Sequence, residues 1–149
     1  MKILFVCTGN VSRSCMAEAI FDSKCTDIQS VSKGIAISPN SITEKYSAKF
    51  IKDKLNIDIS NRKSVQLTVK DVEDADLVIT MTSYVKELLI SNLPQYENKI
   101  FSLTQYIGED KDIIDPIGGT IEDYEKTYFM LDKYIVLLIG KLKEDKNIT

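Results

Sequence analysis

Two short, almost wholly apolar runs constrain this chain more than any other feature: Lys2–Cys7 (KILFVC) and residues 76–81 (DLVITM). Each has strand length, neither alternates apolar with polar residues, and each leads into a stretch of helical period. A strand that is apolar on both sides has to be covered on both sides, which is how strands of a parallel sheet read. Two further segments suit the same role, the β-branched and partly alternating residues 28–37 and the short run 100–103.

The segments between them read as helices. Residues 13–25 place Met16, Ala17, Ala19, Ile20 and Phe21 at helical spacing among Glu18, Asp22 and Lys24. Residues 41–44 (SITE) have the form of a capping box and predict the start of a helix that carries Tyr46, Phe50, Ile51 and Leu55 on one side. Residues 57–63 predict an extended piece and a turn, residues 68–74 a short helix, residues 83–91 another, and residues 104–107 a single helical turn after a break at Asn92-Leu93-Pro94. In the last part, Ile121, Tyr124, Tyr128, Leu131, Ile135, Leu138 and Leu142 make one apolar stripe on a helix of about six turns. Gly140 costs that helix ~1 kcal/mol relative to alanine, so fraying is expected from there.

Strands alternating with helices predict an α/β fold joined by right-handed crossovers. The expectation is a single three-layer domain over residues 1–149: a four-stranded parallel sheet with helices on both faces and a phosphate-binding loop after the first strand. A chain of 149 residues with 44% hydrophobic content is long enough to bury such a core. The net charge of −3, with no dense Lys/Arg cluster, argues against a nucleic-acid partner. The apolar run after Lys2 is too short for a signal peptide or a membrane span, so a cytoplasmic protein with no membrane partner is expected. Three cysteines at spacings that match no zinc pattern predict free thiols, no metal and no cofactor. The chain has no histidine. Any nucleophile therefore has to be activated by amides, hydroxyls or a cation.

Those limits focus attention on Val6-Cys7-Thr8-Gly9-Asn10-Val11-Ser12-Arg13-Ser14. A thiol at the end of a strand is followed by a loop with Gly and Asn and then by a helix start carrying Arg13. Loop amides and the positive end of the helix would converge on one oxyanion. Residues 7–13 could wrap a phosphate while the Arg13 guanidinium forks onto two of its oxygens and the Cys7 thiolate attacks phosphorus in line. Gly9 would allow close approach, Asn10 tolerates left-handed geometry and Ser14 can donate to the thiolate. Cys7 could equally be a buried apolar thiol. In such sheets ligands sit at the carboxyl ends of the strands, so the acidic loop 108–120 should share an edge with Cys7. Asp115 could serve there as a proton donor, with Asp110 and Asp112 as rivals, or it could simply be a turn residue before Pro116.

The loop, together with Met16-Ala17-Glu18, Ala75-Asp76-Leu77-Val78 before Met81-Thr82, and the distant Asp115-Pro116, resembles the low-molecular-weight protein tyrosine phosphatase family along essentially the whole chain. The resemblance implies that Cys7 is the nucleophile and Asp115 the general acid. Thr8, Gly9, Asn10, Val11, Ser12 and Arg13 would hold the phosphoryl group, and Asn10 and Ser14 would support the loop. It also implies a phosphorylated protein as substrate and inorganic phosphate as product.

The chain departs from the family pattern in three places. Ser12 stands where many members carry a second cysteine, and Cys15 where the family usually has proline. Ile117-Gly118-Gly119 lacks the flanking aromatics of many relatives. The Asp-Pro-x-Gly-Gly form resembles bacterial members, which include protein arginine phosphatases. Those carry Thr at the position of Val11, whereas apolar branched residues there resemble tyrosine-specific members. Val11 and Ile117 are thus the residues on which substrate choice is expected to turn, with phosphotyrosine favoured over phosphoarginine. Thiol arsenate reduction, on a similar loop, needs two further redox cysteines, and residues 82–149 contain none. A phosphate-binding module without turnover is the remaining alternative.

Overall fold

The computed structural model describes residues 1–145. Four strands, β1 (Lys2–Cys7), β2 (Gln29–Gly34), β3 (Leu77–Thr80) and β4 (Ile100–Ser102), form a sheet of order β2-β1-β3-β4. Every pair is parallel: Cys7 lies opposite Gly34, Val6 opposite Thr80 and Thr80 opposite Ser102. Six α-helices connect and cover the strands: α1 (Arg13–Lys24), α2 (Lys45–Leu55), α3 (Val69–Asp74), α4 (Ser83–Asn92), α5 (Leu103–Ile107) and α6 (Ile121–Asp145), with a short 3₁₀ helix at Pro94–Lys99.

The unbroken apolar runs are explained by two cores. Side chains alternate across β1, so Ile3, Phe5 and Cys7 join Leu77, Ile79 and Met81 under α1, α2 and α6, where Met16, Ile20, Phe21, Ile51, Leu131 and Leu138 are buried. Phe5 meets Phe21 edge to face at 5.7 Å. On the opposite face Leu4, Val6 and Val78 pack with Val72, Val85 and Leu89 from α3 and α4. Each large side chain so buried contributes about 1.5–3 kcal/mol. The three-layer α/β expectation holds.

Several local expectations are corrected. Residues 41–44 do not form a capping box. Thr43 N–H donates to the Arg62 carbonyl at 3.1 Å and Ile42 bridges Lys63, which keeps the chain extended up to Glu44. Glu44 then caps α2 itself, its carboxylate accepting from Tyr46 N at 2.7 Å and Ser47 N at 3.3 Å. A reciprocal box occurs instead at Thr68 and Asp71, opening α3. The strand expected over 28–37 ends at Gly34, after which the chain bonds to the loop that follows β1: Ile35 N to Cys7 O and Ala36 N to Thr8 O. Gly140 does not fray α6, which continues through Asp145 with Leu138, Ile139 and Leu142 buried around it. Tertiary packing outweighs the propensity cost of one glycine.

This topology places the site. The chain leaves β1 for β2 on one side and returns to β3 on the other, so the end of β1 is the point where strand order reverses. Cys7 is the last residue of β1.

Candidate active site

Residues 7–14 close on themselves through buried hydrogen bonds. Asn10 takes the left-handed conformation, φ 56°, which turns its N–H back onto Cys7 Sγ at 3.3 Å. Ser14 Oγ approaches the same sulfur to 2.9 Å from the first turn of α1. The Asn10 side-chain amide donates to Ser14 Oγ at 2.8 Å and to Ser32 Oγ at 3.1 Å, while its oxygen accepts from Val65 N at 3.0 Å and Arg62 Nη1 at 3.1 Å. All four bonding positions of that amide are used.

Ser12 contributes no side-chain cap to α1, since its hydroxyl is turned to Ser47 on α2 at 2.8 Å. The first-turn amides of α1 are left without a side-chain partner at the mouth of the loop. Val11 is half-buried, and its carbonyl accepts from Glu44 N at 2.8 Å, tying the loop to α2. Thr8 is exposed. A side chain at Gly9 would meet only Val11 Cγ2, at 3.8 Å, so packing does not require that glycine. Gly34 is the glycine the loop depends on: a Cβ there would lie 2.8 Å from Thr8 O and 3.0 Å from Asn10 Cβ.

Arg13, on the first turn of α1, is buried, and its guanidinium is directed to the acidic loop. Nη1 donates to Ile113 O at 3.2 Å, and Nη2 lies 3.4 Å from Asp115 Oδ2. Asp115 is 43% exposed and accepts from Ile117 N at 3.0 Å, a local turn across Pro116. The loop is pinned just before it. Ile113 is fully buried and its N–H donates to Met81 O at 3.2 Å, and Asp112 accepts from Ser83 N at 3.1 Å and Thr104 Oγ1 at 3.2 Å. Asp112 is therefore occupied as a structural anchor, while Asp115 faces Arg13. Ile114 and Ile117 stand 77% and 56% exposed on either side of it. A cavity of about 350 Å³ opens there, lined by the apolar Ile114, Pro116, Ile117 and Met130 and by the charged Asp115, Asp123 and Lys126.

The structure thus joins Cys7 to Asn10 and Ser14, and Arg13 of the same loop to Asp115. Cys15 is not part of the cluster's chemistry. Its thiol donates to Ser12 O at 3.1 Å, and burial pushes it up to about 12, which keeps it protonated. Tyr124 meets Tyr46 with the rings tilted by 60° and 5.4 Å apart; burial, then the carboxylates of Glu44 and Asp115, push its phenol up to about 12, so it stays neutral. Arg62, Ser32 and Gly34 were not singled out in the sequence, Glu18 entered only as part of Met16-Ala17-Glu18, and Asp112 only as a rival proton donor. One signal was available for Arg62: Arg13 and Arg62 are the two arginines of a lysine-rich chain, and both reach the loop.

Such a cradle can bind a phosphoryl group and present a sulfur to it, with a carboxyl on the facing loop for proton transfer. Comparison with known proteins agrees. Residues 2–148 match the model of the family described as low molecular weight phosphotyrosine protein phosphatase. A protein-arginine-phosphatase of Bacillus subtilis is 36% identical over 98% of this chain and 99% of its own length. The low molecular weight protein-tyrosine-phosphatase PtpB of Staphylococcus aureus is 37% identical over 97% of this chain and 98% of its own. Among solved structures, a YwlE arginine phosphatase mutant with a phosphorylated active-site serine superposes with a TM-score of 0.91 at 34% identity, each chain covered in full. By sequence and fold together, the chain belongs to the low molecular weight phosphotyrosine protein phosphatase family, a family of hydrolases.

Proposed function

We propose that this protein removes phosphate from phosphotyrosine in proteins through a covalent intermediate on Cys7. The observation that carries the reading is the convergence of a thiol, a buried guanidinium and an exposed carboxyl on one edge of the sheet: Cys7 under Ser14 and Asn10, and Arg13 against Asp115. An incoming phosphoryl group takes the Arg13 guanidinium as a fork for two of its oxygens, in exchange for the Asp115 contact. The loop amides of residues 8–13 bind the remaining oxygens. Cys7 Sγ forms a bond to phosphorus as the bond to the phenolic oxygen breaks, and Asp115 gives that oxygen its proton. Water then attacks the cysteinyl phosphate, Asp115 takes the water's proton, and the S–P bond breaks to release inorganic phosphate. The cycle uses no metal or cofactor, and its partner is a phosphorylated protein in the cytoplasm.

Preference for an aryl leaving group is supported by the walls of the mouth. Val11 offers no hydrogen bond from its side chain, and Ile114, Ile117 and Pro116 give apolar surface beside Asp115. A guanidinium substrate wants a carboxylate partner, and two of those nearby are engaged, Asp123 by Thr120 N and Glu44 by the amides of α2, while Asp115, released from Arg13, is taken up by proton transfer. The second reading, phosphoarginine, is favoured by the Bacillus subtilis relative's name and by its similarity over nearly the whole chain.

The test compares kcat/KM on phosphotyrosine and phosphoarginine peptides of one sequence, with Cys7→Ser as control. The phosphotyrosine peptide should be preferred by about tenfold or more, and Cys7→Ser should lose more than about nine-tenths of turnover on either. A tenfold preference the other way, at the same nucleophile, would make this an arginine phosphatase.

A further inference from the structure

The net charge of −3 is spread unevenly. α2 carries four lysines and one aspartate in its 11 residues (KYSAKFIKDKL), the reverse of the balance in the chain as a whole. Of the six helices, two begin on a cation, α1 on Arg13 and α2 on Lys45. A cation in the first turn opposes the helix dipole, so α2 itself gains nothing from Lys45. The ordinary choice is seen in α6, which has Glu122 and Asp123 in its first turn.

Lys45, Lys49 and Lys52 follow one another at steps of four and three, which places them on one face of the helix. All three are exposed, and with Ile42, Thr43 and Asp58 they line a groove of about 430 Å³. The Lys45 ammonium lies 5.1 Å from the centre of the Tyr46 ring and that of Lys49 5.8 Å from the centre of Phe50, so both are held near the helix surface. Among the described residues Lys45 and Lys52 have no ion-pair partner, and Lys49 pairs with Asp53 where both side chains are half in solvent. Asp58 is the one carboxylate on the groove, and it accepts from Ser60 N at 2.9 Å and Ser60 Oγ at 2.6 Å. Three cations to one carboxylate leave the groove positive.

The groove is continuous with the phosphate loop. Ile42 and Thr43 lead straight into Glu44, whose N–H donates to Val11 O at 2.8 Å, and Ser47 in the first turn of α2 bonds to Ser12 at 2.8 Å. From Lys45 to Lys52 the helix rises about 10 Å. An extended peptide advances ~3.3 Å per residue, so the lysines span about three residues of a chain whose phosphorylated side chain sits at Cys7.

We propose that the Lys45, Lys49 and Lys52 face of α2 docks an acidic segment of the phosphorylated protein, so that sites flanked by Asp or Glu are selected. The proposal rests on the proposed function in one respect, that the substrate is a phosphoprotein bound at Cys7. A short acidic segment fits this face better than a long polyanion such as nucleic acid. Screening confines the attraction to about 8 Å at physiological salt, and the rest of an acidic chain repels a long polyanion. Lysines also lack the planar fork that holds two phosphate oxygens at once.

The test uses the full chain and two phosphotyrosine peptides that differ only in carrying Glu or Gln at the flanking positions on each side. The wild type should favour the Glu peptide in kcat/KM by about fivefold or more at low salt, and by less than about twofold in about 0.5 M salt. Replacing Lys45, Lys49 and Lys52 together by Gln should bring the Glu peptide down to the level of the Gln peptide, with nitrophenyl phosphate turned over within about twofold of wild type. Replacing Lys24, Lys141 and Lys143 by Gln, at the ends of α1 and α6 away from the loop, changes the net charge equally and should keep the preference. Equal rates of the wild type on the two peptides, a preference for Gln, or a preference that survives in the α2 variant would overturn the proposal. An equal loss in both triple variants would overturn it too, by assigning the effect to net charge. Stronger inhibition by a single-stranded oligonucleotide than by the unphosphorylated Glu peptide would give the face to nucleic acid instead. If only phosphoarginine peptides are hydrolysed, the function proposed above fails, while the same flanks on phosphoarginine still decide the role of α2. If neither kind is hydrolysed, fluorescence anisotropy of the labelled phosphopeptides, titrated with wild type and the α2 variant, decides it with the same outcomes.

Discussion

The two loops that meet at the site are built on opposite principles. Residues 7–14 sit at the switch point of the sheet, with Asn10, Ser12, Arg13 and Ser14 all buried; Asn10 bonds to β2 and the segment before α3, Ser12 to α2, and Ser14 back to Cys7 and Asn10. The acidic loop 108–120 is held at Asp112 and Ile113 and then runs out into solvent, with Ile114, Asp115 and Ile117 exposed. A cradle for a developing charge gains from groups that need no reorganisation when the charge appears. A group that must give up a proton, take one back and let product leave gains from standing on a segment with few restraints. Under the proposed function, the contrast suits the first loop to binding and the second to proton transfer.

The sharpest way to break that assignment is at Asp115. Asp115→Ala should lower kcat by ~10²–10⁴ on alkyl or unactivated aryl phosphates, which need a proton on departure. On a nitrophenyl phosphate, whose leaving group is stable as an anion, the loss should be far smaller. Equal losses on both substrates would mean that the carboxylate serves binding through Arg13 and that proton transfer lies elsewhere. Removing Arg13's partner should at the same time leave phosphate affinity unchanged or higher, as read from product inhibition.

The rigid loop is tested where it touches β2. Gly34→Ala puts a methyl group 2.8 Å from the backbone oxygen of Thr8, which cannot turn away, and 2.8 Å from the Ile37 side chain. Overpacking of this kind costs about 1–3 kcal/mol, which at this chain length lowers Tm by about 2–4 °C per kcal/mol. Displacement of Thr8 and Asn10 should also reduce kcat/KM about tenfold or more on good and poor leaving groups alike. Gly9→Ala, facing open space except for Val11, should leave Tm near wild type. A Gly9→Ala variant less stable than Gly34→Ala would reverse the roles given to the two glycines.

How much of this was legible in the sequence follows the same division. Cys7, Asn10, Arg13 and Ser14 could be read because they are close in sequence and their types announce their chemistry. The sheet could be read because strands buried on both faces leave unbroken apolar runs. Ser32 could not, and Arg62 offered only its rarity as one of two arginines, because they reach Asn10 from 22 and 52 positions away and carry no local pattern. Gly34 lay inside the strand expected over 28–37 and carried no signal of its own; its role shows only with Thr8 beside it. The capping box at residues 41–44 failed because Thr43 was recruited into pairing with Arg62, a long-range bond that outweighs a local signal. Gly140 was misjudged for a similar reason, since buried neighbours on α6 hold the helix past it.

Asp112 offers the smallest effect and the finest discrimination, because it is the pin between the two regimes. Its carboxylate accepts from Ser83 N at the start of α4 and from Thr104 Oγ1 on α5, immediately ahead of the buried Ile113. Asp112→Ala removes those bonds but leaves Ile113 N on Met81 O and Arg13 Nη1 on Ile113 O. The loop should keep its path and lose some precision at Asp115, so kcat on poor leaving groups should fall about threefold and hardly change on good ones. Phosphate inhibition, which reads the cradle alone, should stay at the wild-type value. A loss as large as that of Asp115→Ala would show that the acidic loop is held as tightly as the cradle and that its exposure does not reflect freedom. A loss on good leaving groups as well would show that the pin reaches Arg13 through Ile113, joining the two loops into one unit.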